Sequence, residues 1–448
     1  MSGRTFLGHP AGLGYIVFTE AWERFSFYGM QALLVLYMAT YLLHPGTVEQ
    51  VTGFASLHRG IEAVFGELSI QALATQLFGF YVGLIYFTPV FGGLLGDRVL
   101  GRTRAVLLGA VLMAIGHFLM AFEAAFLFAL LALILGSGLL KGNLAAQVGS
   151  LYEKQDQRRD SAFSIYNVAI NLGATIAPLV CGTLGELYGW HYGFGVAGFG
   201  MLIGIVIYLK GRKYLPPDNV RPGAEERPKL KKGDGPIIAA IVVLILIAAL
   251  FWATQAQVWN SYPLWIKGRV ARDLFDLLIP VTWFQSIDSL AVLVLAPLVL
   301  VFWARQRKRG SEPGDFTKII LGCSIYAAAF AWLAMGEVLA GEGQVALVFP
   351  VLFHFILGAG FMYVGPIMMS LISRAAPLAV NAMMVGSYYL SIFIGGMFSG
   401  WLGRFYEVLS PAQFWFVHAA LVGVGALLVL IIRIPFTRLL KAGNSASD

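Results

Sequence analysis

Charged residues are scarce in this sequence. Only 12% of its 448 residues are Asp, Glu, Lys or Arg, whereas 58% are hydrophobic. Soluble domains carry about 25% charged residues. A soluble core of this size does not need so much apolar sequence, but a bilayer does, because surface that faces lipid must be apolar too. The composition therefore argues against an ordinary soluble protein and indicates a membrane protein.

Cysteine is also scarce. Cys181 and Cys323 both lie in apolar segments, so they predict neither a disulfide framework nor a metal site. His44 and His58 fall in a polar stretch at 44–68, and we expect them at the surface rather than on a metal. We expect no cleaved signal peptide, because the first apolar segment is long, contains acids and lacks a small-residue cleavage site.

Long apolar segments, by contrast, are abundant. A helix of about 20 apolar residues spans a bilayer. The sequence contains about twelve such segments, near residues 14–43, 70–96, 104–122, 126–150, 161–183, 193–210, 236–259, 278–304, 317–339, 344–372, 379–402 and 412–433. The first is overlong for a span, so we expect it to tilt or to extend beyond the bilayer.

Basic residues are concentrated in alternate loops. Of the 31 lysines and arginines, 24 fall in one set of loops and termini, five in the other, and Arg24 and Lys141 lie inside apolar segments. The rule that cytoplasmic loops are positive then predicts that both termini are cytoplasmic. The larger set comprises Arg4, Arg98, Arg102, Arg104, Lys154, Arg158, Arg159, Lys210, Arg212, Lys213, Arg221, Arg227, Lys229, Lys231, Lys232, Arg305, Arg307, Lys308, Arg309, Lys318, Arg374, Arg433, Arg438 and Lys441.

One polar stretch, 211–235, divides the apolar segments into six and six. It is basic and rich in Pro and Gly. We therefore predict a six-helix bundle over 1–210, a cytoplasmic basic linker over 211–235 and a second bundle over 236–448. Two such bundles are typical of a transporter with its binding site at the bilayer midplane. A channel or a membrane enzyme could also have twelve spans, so architecture alone does not decide the function.

Three charges lie inside the first apolar segment. Each charge at a helix centre costs about 2.5–3.5 kcal/mol on insertion scales. Glu23 and Arg24 follow Glu20 by three and four residues, so the three charges share one helical face. Tyr28 continues this stripe, and we expect the stripe to face a central cavity.

Proton coupling would explain these charges. A structural ion pair is the alternative, but two acids for one base leave a surplus carboxylate. Burial favours a protonated carboxyl group and a basic partner favours the carboxylate. A carboxylate that gains and loses a basic partner would therefore release and take up a proton. Lys141, the single charge of the fourth apolar segment, is the candidate second base, unless its side chain snorkels to the interface.

Polar residues of the later segments add candidates. Asn171 is an expected buried hydrogen-bonding group in the fifth segment, and Asp288 is the one acid well inside an apolar segment of the second half. Gln285 lies on the same helical face as Asp288, three residues earlier. Asp288 could instead be a core residue whose hydrogen bonds are satisfied.

Two motifs resemble those of a known family. The run Glu20-x-x-Glu23-Arg24-Phe25-x-Phe27-Tyr28-Gly29 resembles the first-helix motif of the proton-dependent oligopeptide transporters, a family within the major facilitator superfamily. Phe27 stands where that motif has a tyrosine. The run Gly92-Gly93-Leu-Leu-Gly-Asp97-Arg98-Val-Leu-Gly101-Arg102 resembles the signature between the second and third helices. Asp97 could cap a helix end there and pair with basic groups of the neighbouring bundle, and a plain tight turn is the alternative.

Weaker matches follow in the family's order along nearly the whole chain. Gly138-x-x-Lys141-Gly-Asn143 is similar to a fourth-helix Lys-Pro-Asn motif, and Ile170-Asn171-Leu-Gly173 to a fifth-helix signature. Tyr81 fits a second-helix tyrosine, and the segment that ends at Asp288 fits the eighth helix.

The resemblance implies an all-α major-facilitator fold with twelve transmembrane helices in two six-helix bundles. It implies a proton-coupled symporter that imports di- and tripeptides, or a peptide-like solute, by alternating access. Coupling would use Glu20, Glu23, Arg24 and Lys141, and the substrate would contact Tyr28, Tyr81, Lys141, Asn171, Gln285, Asp288, Phe361 and Tyr388. A cytoplasmic gate would use Gly93, Asp97, Arg98, Gly101 and Arg102. We expect a monomer in the inner membrane, with no catalytic residue, metal, cofactor or nucleic-acid partner.

Departures from the family pattern cluster in the second half. Ala256 and Phe361 stand where the resemblance leads us to expect acids, and Tyr388 stands where a tryptophan is usual. We hypothesise that Asp288 replaces the lost acids, as an amine ligand or as a gate partner of a base in the first bundle. Otherwise the substrate would be a modified peptide or another anionic solute without a free amine.

Other function classes lack support in the sequence. It contains neither a His-Glu-x-x-His nor a Gly-x-Ser-x-Gly motif. Gly193-Phe-Gly195-Val-Ala-Gly198 matches a dinucleotide fingerprint by letters, but it lies in an apolar segment and indicates helix packing. A drug or sugar carrier of another class and a binding-only receptor remain as alternatives.

Overall fold

The structure is a computed structural model that describes residues 5–153, 155–218, 220, 230, 231 and 233–445. Much of the predicted linker, namely 219, 221–229 and 232, lies outside these residues. So do six of the predicted cytoplasmic basic residues: Arg4, Lys154, Arg221, Arg227, Lys229 and Lys232.

Helices dominate the described part of the chain. The α-helices are α1 (Ala11–Tyr37), α2 (Phe54–Phe65), α3 (Ile70–Phe87), α4 (Pro89–Leu95), α5 (Arg102–Leu119), α6 (Phe126–Ser150), α7 (Arg158–Ala177), α8 (Thr183–Tyr188), α9 (Trp190–Gly211), α10 (Asp234–Gln255), α11 (Ser261–Arg269), α12 (Val281–Lys308), α13 (Asp315–Ala340), α14 (Val348–Ala375), α15 (Asn381–Gly403) and α16 (Pro411–Ser445). Wider π turns at Met38–Leu42, Gly96–Leu100 and Pro178–Gly182 extend or join neighbouring helices. Single 3₁₀ turns lie at Val48–Gln50, Glu123–Ala125, Arg212–Tyr214 and Ala256–Trp259.

Two short hairpins complete the secondary structure. In the first, β1 (Thr5–Phe6) runs antiparallel to β2 (His9–Pro10), with Phe6 opposite His9. In the second, β3 (Asp273–Leu274) pairs with β4 (Leu277–Leu278). Both precede membrane helices, so they are connections rather than a core.

Among the described residues, 12 helical stretches are long and apolar enough to cross a membrane. The prediction of twelve membrane-spanning helices is therefore confirmed. The first stretch, Ala11–Leu42, has 32 residues, in agreement with the expected overlong span. The expected outer loop at 44–68 contains a helix, α2, that the sequence analysis did not predict.

The chain divides into two compact units. Unit 1 has the bounds Met1–Ala74, Leu84–Gly223 and Leu278–Leu290, and unit 2 has Thr75–Gly83, Ala224–Leu277 and Ala291–Asp448, of which only the described residues are discussed. In unit 1, α1 packs against α7 and α9, and α5 packs against α6. In unit 2, α13 packs against α14 and α16, and α10 packs against α15. The short segments 75–83 and 278–290 thus pack with a unit other than that of their sequence neighbours.

Candidate functional site

The charged stripe of α1 forms a buried ion cluster in unit 1. The Arg24 Nε donates to the Glu20 Oε1 at 2.8 Å and lies 2.6 Å from the Glu23 Oε2. Glu20 and Glu23 are no more than 1% exposed, and Arg24 is 7% exposed. One guanidinium group therefore bridges both acids inside an apolar helix bundle.

Lys141, on α6, stands beside this cluster without joining it. Its Nζ lies 3.8 Å from the centre of the Phe27 ring and 4.9 Å from the centre of the Tyr86 ring. The buried Nζ has no hydrogen-bond partner among the described residues, although it lies within electrostatic range of Glu20 and Glu23. Two aromatic faces thus hold the ammonium group near the acids.

A glycine allows α7 to approach the cluster. A Cβ at Gly173 would lie 2.9 Å from the Cβ of Arg24 and even closer to the carbonyl oxygen of Ala21. On the same helix, the buried Tyr166 lies within electrostatic range of Glu20 and Arg24. The sequence analysis did not select Tyr166, although its position seven residues before Gly173 puts both on one helical face.

Tyr28 links the cluster to the beginning of α12. It lies within electrostatic range of Arg24, Tyr86 and Asp288, and Asp288 is half-buried.

Asn171 is half-buried rather than buried, and its amide donates to the Asn167 carbonyl of its own helix at 2.9 Å. The expectation that Asn171 is buried was therefore wrong.

Glu186 fixes the first turn of α12. Its Oε2 accepts from the Val281 backbone N at 2.9 Å, and its Oε1 accepts from the Thr282 backbone N and Oγ1 at 2.9 and 2.8 Å. A carboxylate at a helix N-terminus satisfies free N–H groups and complements the helix dipole. The cap positions Gln285 and Asp288, which lie one and two turns further along. Glu186 was not among the predicted site residues because it is 95 residues from Val281.

The remaining predicted substrate residues belong to unit 2. Tyr388 is 3% exposed, and its hydroxyl oxygen accepts from the Trp252 Nε1 at 3.3 Å. The ring centre of Phe361 lies 6.2 Å from that of Trp252. Tyr81 is buried in the same unit. Phe361 therefore lies in aromatic surroundings, to which Trp252, missed by the sequence analysis, contributes.

The predicted gate motif runs from α4 through the wider π turn at Gly96–Leu100 to the start of α5. Asp97 accepts from the Arg102 Nε at 3.0 Å, and Gly101 adopts a φ of +77°, which glycine accommodates most easily. Arg98 is exposed, and nothing lies within 4 Å of a Cβ at Gly93. The role of these residues as a gate stays a prediction.

A linker residue, Asp218, caps α5. Its carboxylate accepts from the Thr103 backbone N at 3.1 Å and from the Thr103 Oγ1 at 3.1 Å. Asp97 was expected to be able to cap a helix end, but its described hydrogen bond goes to Arg102. The expectation was wrong because the chain after α9 returns to this helix end, where Asp218 supplies the capping carboxylate.

The histidines of the polar stretch have local partners. His44 shares a hydrogen bond with the Ala39 carbonyl at 3.0 Å, and the His58 Nε2 lies 3.4 Å from Glu62. Within the described ranges, no group of three His, Cys, Asp or Glu side chains is arranged to hold a metal ion.

Comparison with known proteins places these features in one family. The family model described as "PTR2: POT family" matches residues 103–223 and 229–415. The chain is 30% identical to the uncharacterized transporter YclF of Bacillus subtilis (strain 168), over 86% of each chain. It is 29% identical to the peptide transporter YePEPT of Yersinia enterocolitica, over 98% of this chain and 97% of the relative. It is 27% identical to a di-/tripeptide transporter of Lactococcus lactis subsp. cremoris, over 98% of each.

Solved structures are similar over almost the whole chain. A mutant peptide transporter POT in complex with alafosfalin has a TM-score of 0.86 at 30% identity and covers 98% of this chain and 97% of its own. A POT family transporter in complex with 5-aminolevulinic acid has a TM-score of 0.84 at 25% identity and covers 97% of this chain and 98% of its own. The predicted major-facilitator fold is thereby confirmed, and the chain is a multi-pass membrane protein. The first-helix motif, the family match over most of the chain and these structures agree that the chain belongs to the POT family.

Proposed function

We propose that this protein is a proton-coupled symporter that imports di- and tripeptides by alternating access. The observation that carries the proposal is the buried Arg24, ion-paired with both Glu20 and Glu23. Lys141 lies beside it, and its Nζ has no hydrogen-bond partner among the described residues. The similar transporters named for peptides from Yersinia and Lactococcus support the substrate class. They favour it over the alternative of an anionic solute without an amine.

Charge balance gives the coupling its physical basis. The two carboxylates of the cluster and the two cations, Arg24 and Lys141, together carry no net charge. A substrate carboxylate that binds Lys141 or Arg24 adds one negative charge to a poorly solvated site, where an uncompensated charge is costly. A proton on Glu20 or Glu23 restores neutrality. Substrate and proton therefore bind together more favourably than either binds alone.

Lys141 is suited to be the switching partner. Aromatic faces attract its ammonium group without a hydrogen bond, so a move toward Glu23 or toward a substrate carboxylate breaks no directional contact. When Glu23 loses its proton, the ammonium group pairs with that acid and releases the substrate. The cycle needs no bound cofactor, because the proton gradient supplies the free energy.

The amino end of the peptide requires a separate partner. Phe361 and Ala256 cannot supply an acid, and we propose that Asp288 does so. Asp288 is half-buried and within electrostatic range of Tyr28, beside the cluster proposed to receive the carboxylate. The charges that recognise the two ends of the peptide would then both lie within unit 1.

We further propose that the protein is a monomer of the inner membrane with both termini in the cytoplasm. The excess of basic residues in one set of loops supports this orientation. Single cysteines introduced into otherwise cysteine-free protein at positions 212 and 272 test it. An impermeant maleimide added to intact cells should label Arg272→Cys and spare Arg212→Cys. The opposite pattern would reverse the orientation.

Transport in liposomes tests the main proposal. The wild-type protein should exchange labelled dialanine in counterflow and accumulate it when the lumen is alkaline. Glu23→Gln should retain counterflow and lose at least about tenfold of the pH-driven accumulation. Asp273→Asn, which changes an exposed acid of β3, should behave as wild type. Absence of dialanine counterflow would exclude ordinary dipeptides, and accumulation of equal size without a pH gradient would exclude proton coupling.

A matched pair of peptides tests Asp288. The wild-type protein should prefer dialanine to N-acetyl-dialanine, since only dialanine carries an ammonium group. Asp288→Asn should remove this preference, and Asp288→Glu should preserve most of it. An unchanged preference in Asp288→Asn, with unchanged proton dependence, would exclude Asp288 as the amine ligand or gate partner.

A further inference from the structure

A basic cleft of about 600 Å³ opens in unit 2. It lies where α13 begins, where α14 ends and where α16 leaves its apolar stretch. Arg374, Arg433 and Arg438 line it, together with Asp315 and Thr437. We call this feature the arginine cleft.

Two of its three arginines have no counter-ion among the residues that the structure describes. The Arg374 Nη2 lies 2.6 Å from the Asp315 Oδ2, so these two charges neutralise each other. Within the described part of the chain, the guanidinium groups of Arg433 and Arg438 have neither an ion pair nor a hydrogen bond. The cleft therefore carries two uncompensated positive charges. Gly314, at the N-terminus of α13, provides no side-chain cap, so the positive end of that helix dipole adds to the same field.

Exposed apolar side chains of α16 lie beside the basic residues of the cleft. Leu430, Ile431 and Ile434 on α16 are 42%, 64% and 56% exposed, as expected for side chains that contact lipid. Arg433 lies within this exposed apolar stretch, and Arg438 follows about one turn after Ile434. An amphiphile with an apolar tail and an anionic head would contact both surfaces at once.

We propose that the arginine cleft binds the phosphodiester headgroup of an anionic phospholipid, such as phosphatidylglycerol. Arginine forms charge-assisted hydrogen bonds with phosphate oxygens. Basic pockets between the ends of membrane helices suit anionic headgroups. Leu371, which also lines the cleft, and Ile434 would contact the glycerol and acyl part. This inference is independent of the proposed transport; the proposed orientation decides only that the inner leaflet supplies the lipid.

Native mass spectrometry of the purified, delipidated protein in detergent tests the proposal. Phosphatidylglycerol should form retained one-lipid complexes at about tenfold lower concentration than phosphatidylethanolamine. The double variant Arg433→Gln/Arg438→Gln should weaken phosphatidylglycerol binding by about tenfold or more, because each basic residue near the headgroups contributes to the attraction. Arg433→Lys/Arg438→Lys should keep most of the binding, which excludes misfolding as the cause.

A matched control separates this site from general surface charge. Arg305→Gln/Arg309→Gln removes two exposed charges at the same end of the helices, outside the cleft, and should bind phosphatidylglycerol as wild type does. Equal losses in both glutamine variants would overturn the site. Equal binding of the two lipids would overturn the charge recognition. Displacement of the lipid by millimolar sn-glycerol 3-phosphate or inorganic phosphate would identify a soluble anion as the ligand and overturn the lipid assignment.

Discussion

The ammonium group of Lys141 lies 3.8 Å from the centre of the Phe27 ring, where the family motif has a tyrosine. We predict that Phe27→Leu weakens proton-driven dialanine uptake, because a cation–π contact of about 0.5–2 kcal/mol is lost. This corresponds to a roughly 2- to 30-fold reduction. Phe27→Tyr should retain uptake, since its ring presents the same face. Initial rates across a series of imposed pH gradients would measure both effects.

Phe199→Leu is the control for this prediction. Phe199 is 61% exposed on α9 and its ring packs edge-on against Phe118, so its loss removes an aromatic ring other than the two that contact Lys141. It should leave the gradient dependence unchanged. A Phe27→Leu protein with wild-type rates at every gradient would contradict the role of the ring in holding Lys141.

The second prediction concerns the close packing of α7 against α1 at Gly173. A Cβ there would overlap the backbone and the Arg24 Cβ of α1, and overpacking of this kind costs about 1–3 kcal/mol. Gly173→Ala should lower the thermal midpoint in detergent by several degrees. It should also reduce pH-driven transport, because α7 must move away from the ion cluster. Thermal unfolding followed by tryptophan fluorescence would measure the first effect.

Gly195→Ala provides the matched comparison for Gly173→Ala. Nothing lies within 4 Å of a Cβ at Gly195, and this substitution also improves helix propensity. Its thermal midpoint should equal or exceed that of the wild type. If both alanine variants are equally stable, the close approach of α7 to α1 is not required.

Much of the architecture was predictable because its signals are local. A transmembrane helix is recognised by about 20 consecutive apolar residues, whichever segments pack against it. The ion cluster was predictable for the same reason, since Arg24 pairs with Glu20, four residues earlier, and with Glu23, immediately before it, within one helix. Lys141 was predictable as a second base because it is the single charge of the fourth apolar segment, and the family motif agreed with that choice.

The contacts that escaped prediction join distant segments. Glu186 reaches Thr282, and Asp218 reaches Thr103 across 115 residues. Neither carboxylate carries a local pattern, because each caps a helix that begins elsewhere in the chain. The aromatic surroundings of Phe361 could not be predicted for the same reason, since Trp252 and Tyr388 come from two other helices. Such pairings follow from the packing of whole helices, which spacing within one segment does not encode.

Asp218 makes a third prediction. Its carboxylate caps α5 through the Thr103 backbone N and Oγ1, and removal of an N-cap acceptor costs about 0.5–2 kcal/mol. Asp218→Ala should therefore lower the thermal midpoint, and Asp218→Asn should recover part of the loss through its remaining oxygen. Asp273→Ala, at an exposed acid in β3, should be neutral. Equal midpoints for Asp218→Ala and Asp273→Ala would show that the cap contributes nothing.

The last prediction concerns the pH dependence of the contribution of Glu312 to stability. It lies in the loop between α12 and α13, 2.6 Å from both the Arg307 Nε and the Lys318 Nζ. Hydrogen bonds from Arg307, and then from Lys318, lower the pKa of Glu312 from 4.5 to about 2. Because the folded-state pKa is depressed, the contribution of Glu312 to stability is complete above about pH 4.5 and is lost as the pH falls toward 2.

Glu312→Gln should therefore lower the thermal midpoint most at about pH 6–7, and the difference from wild type should shrink as the pH falls below about 4.5. Glu342→Gln, at an exposed acid for which the structure describes no ion pair, should show no such pH dependence. Thermal unfolding at pH steps between about 7 and 3 measures both variants against wild type. A constant difference for Glu312→Gln over this range would mean that its carboxylate is not held by the two bases, because a neutral amide would then differ from the acid only in packing.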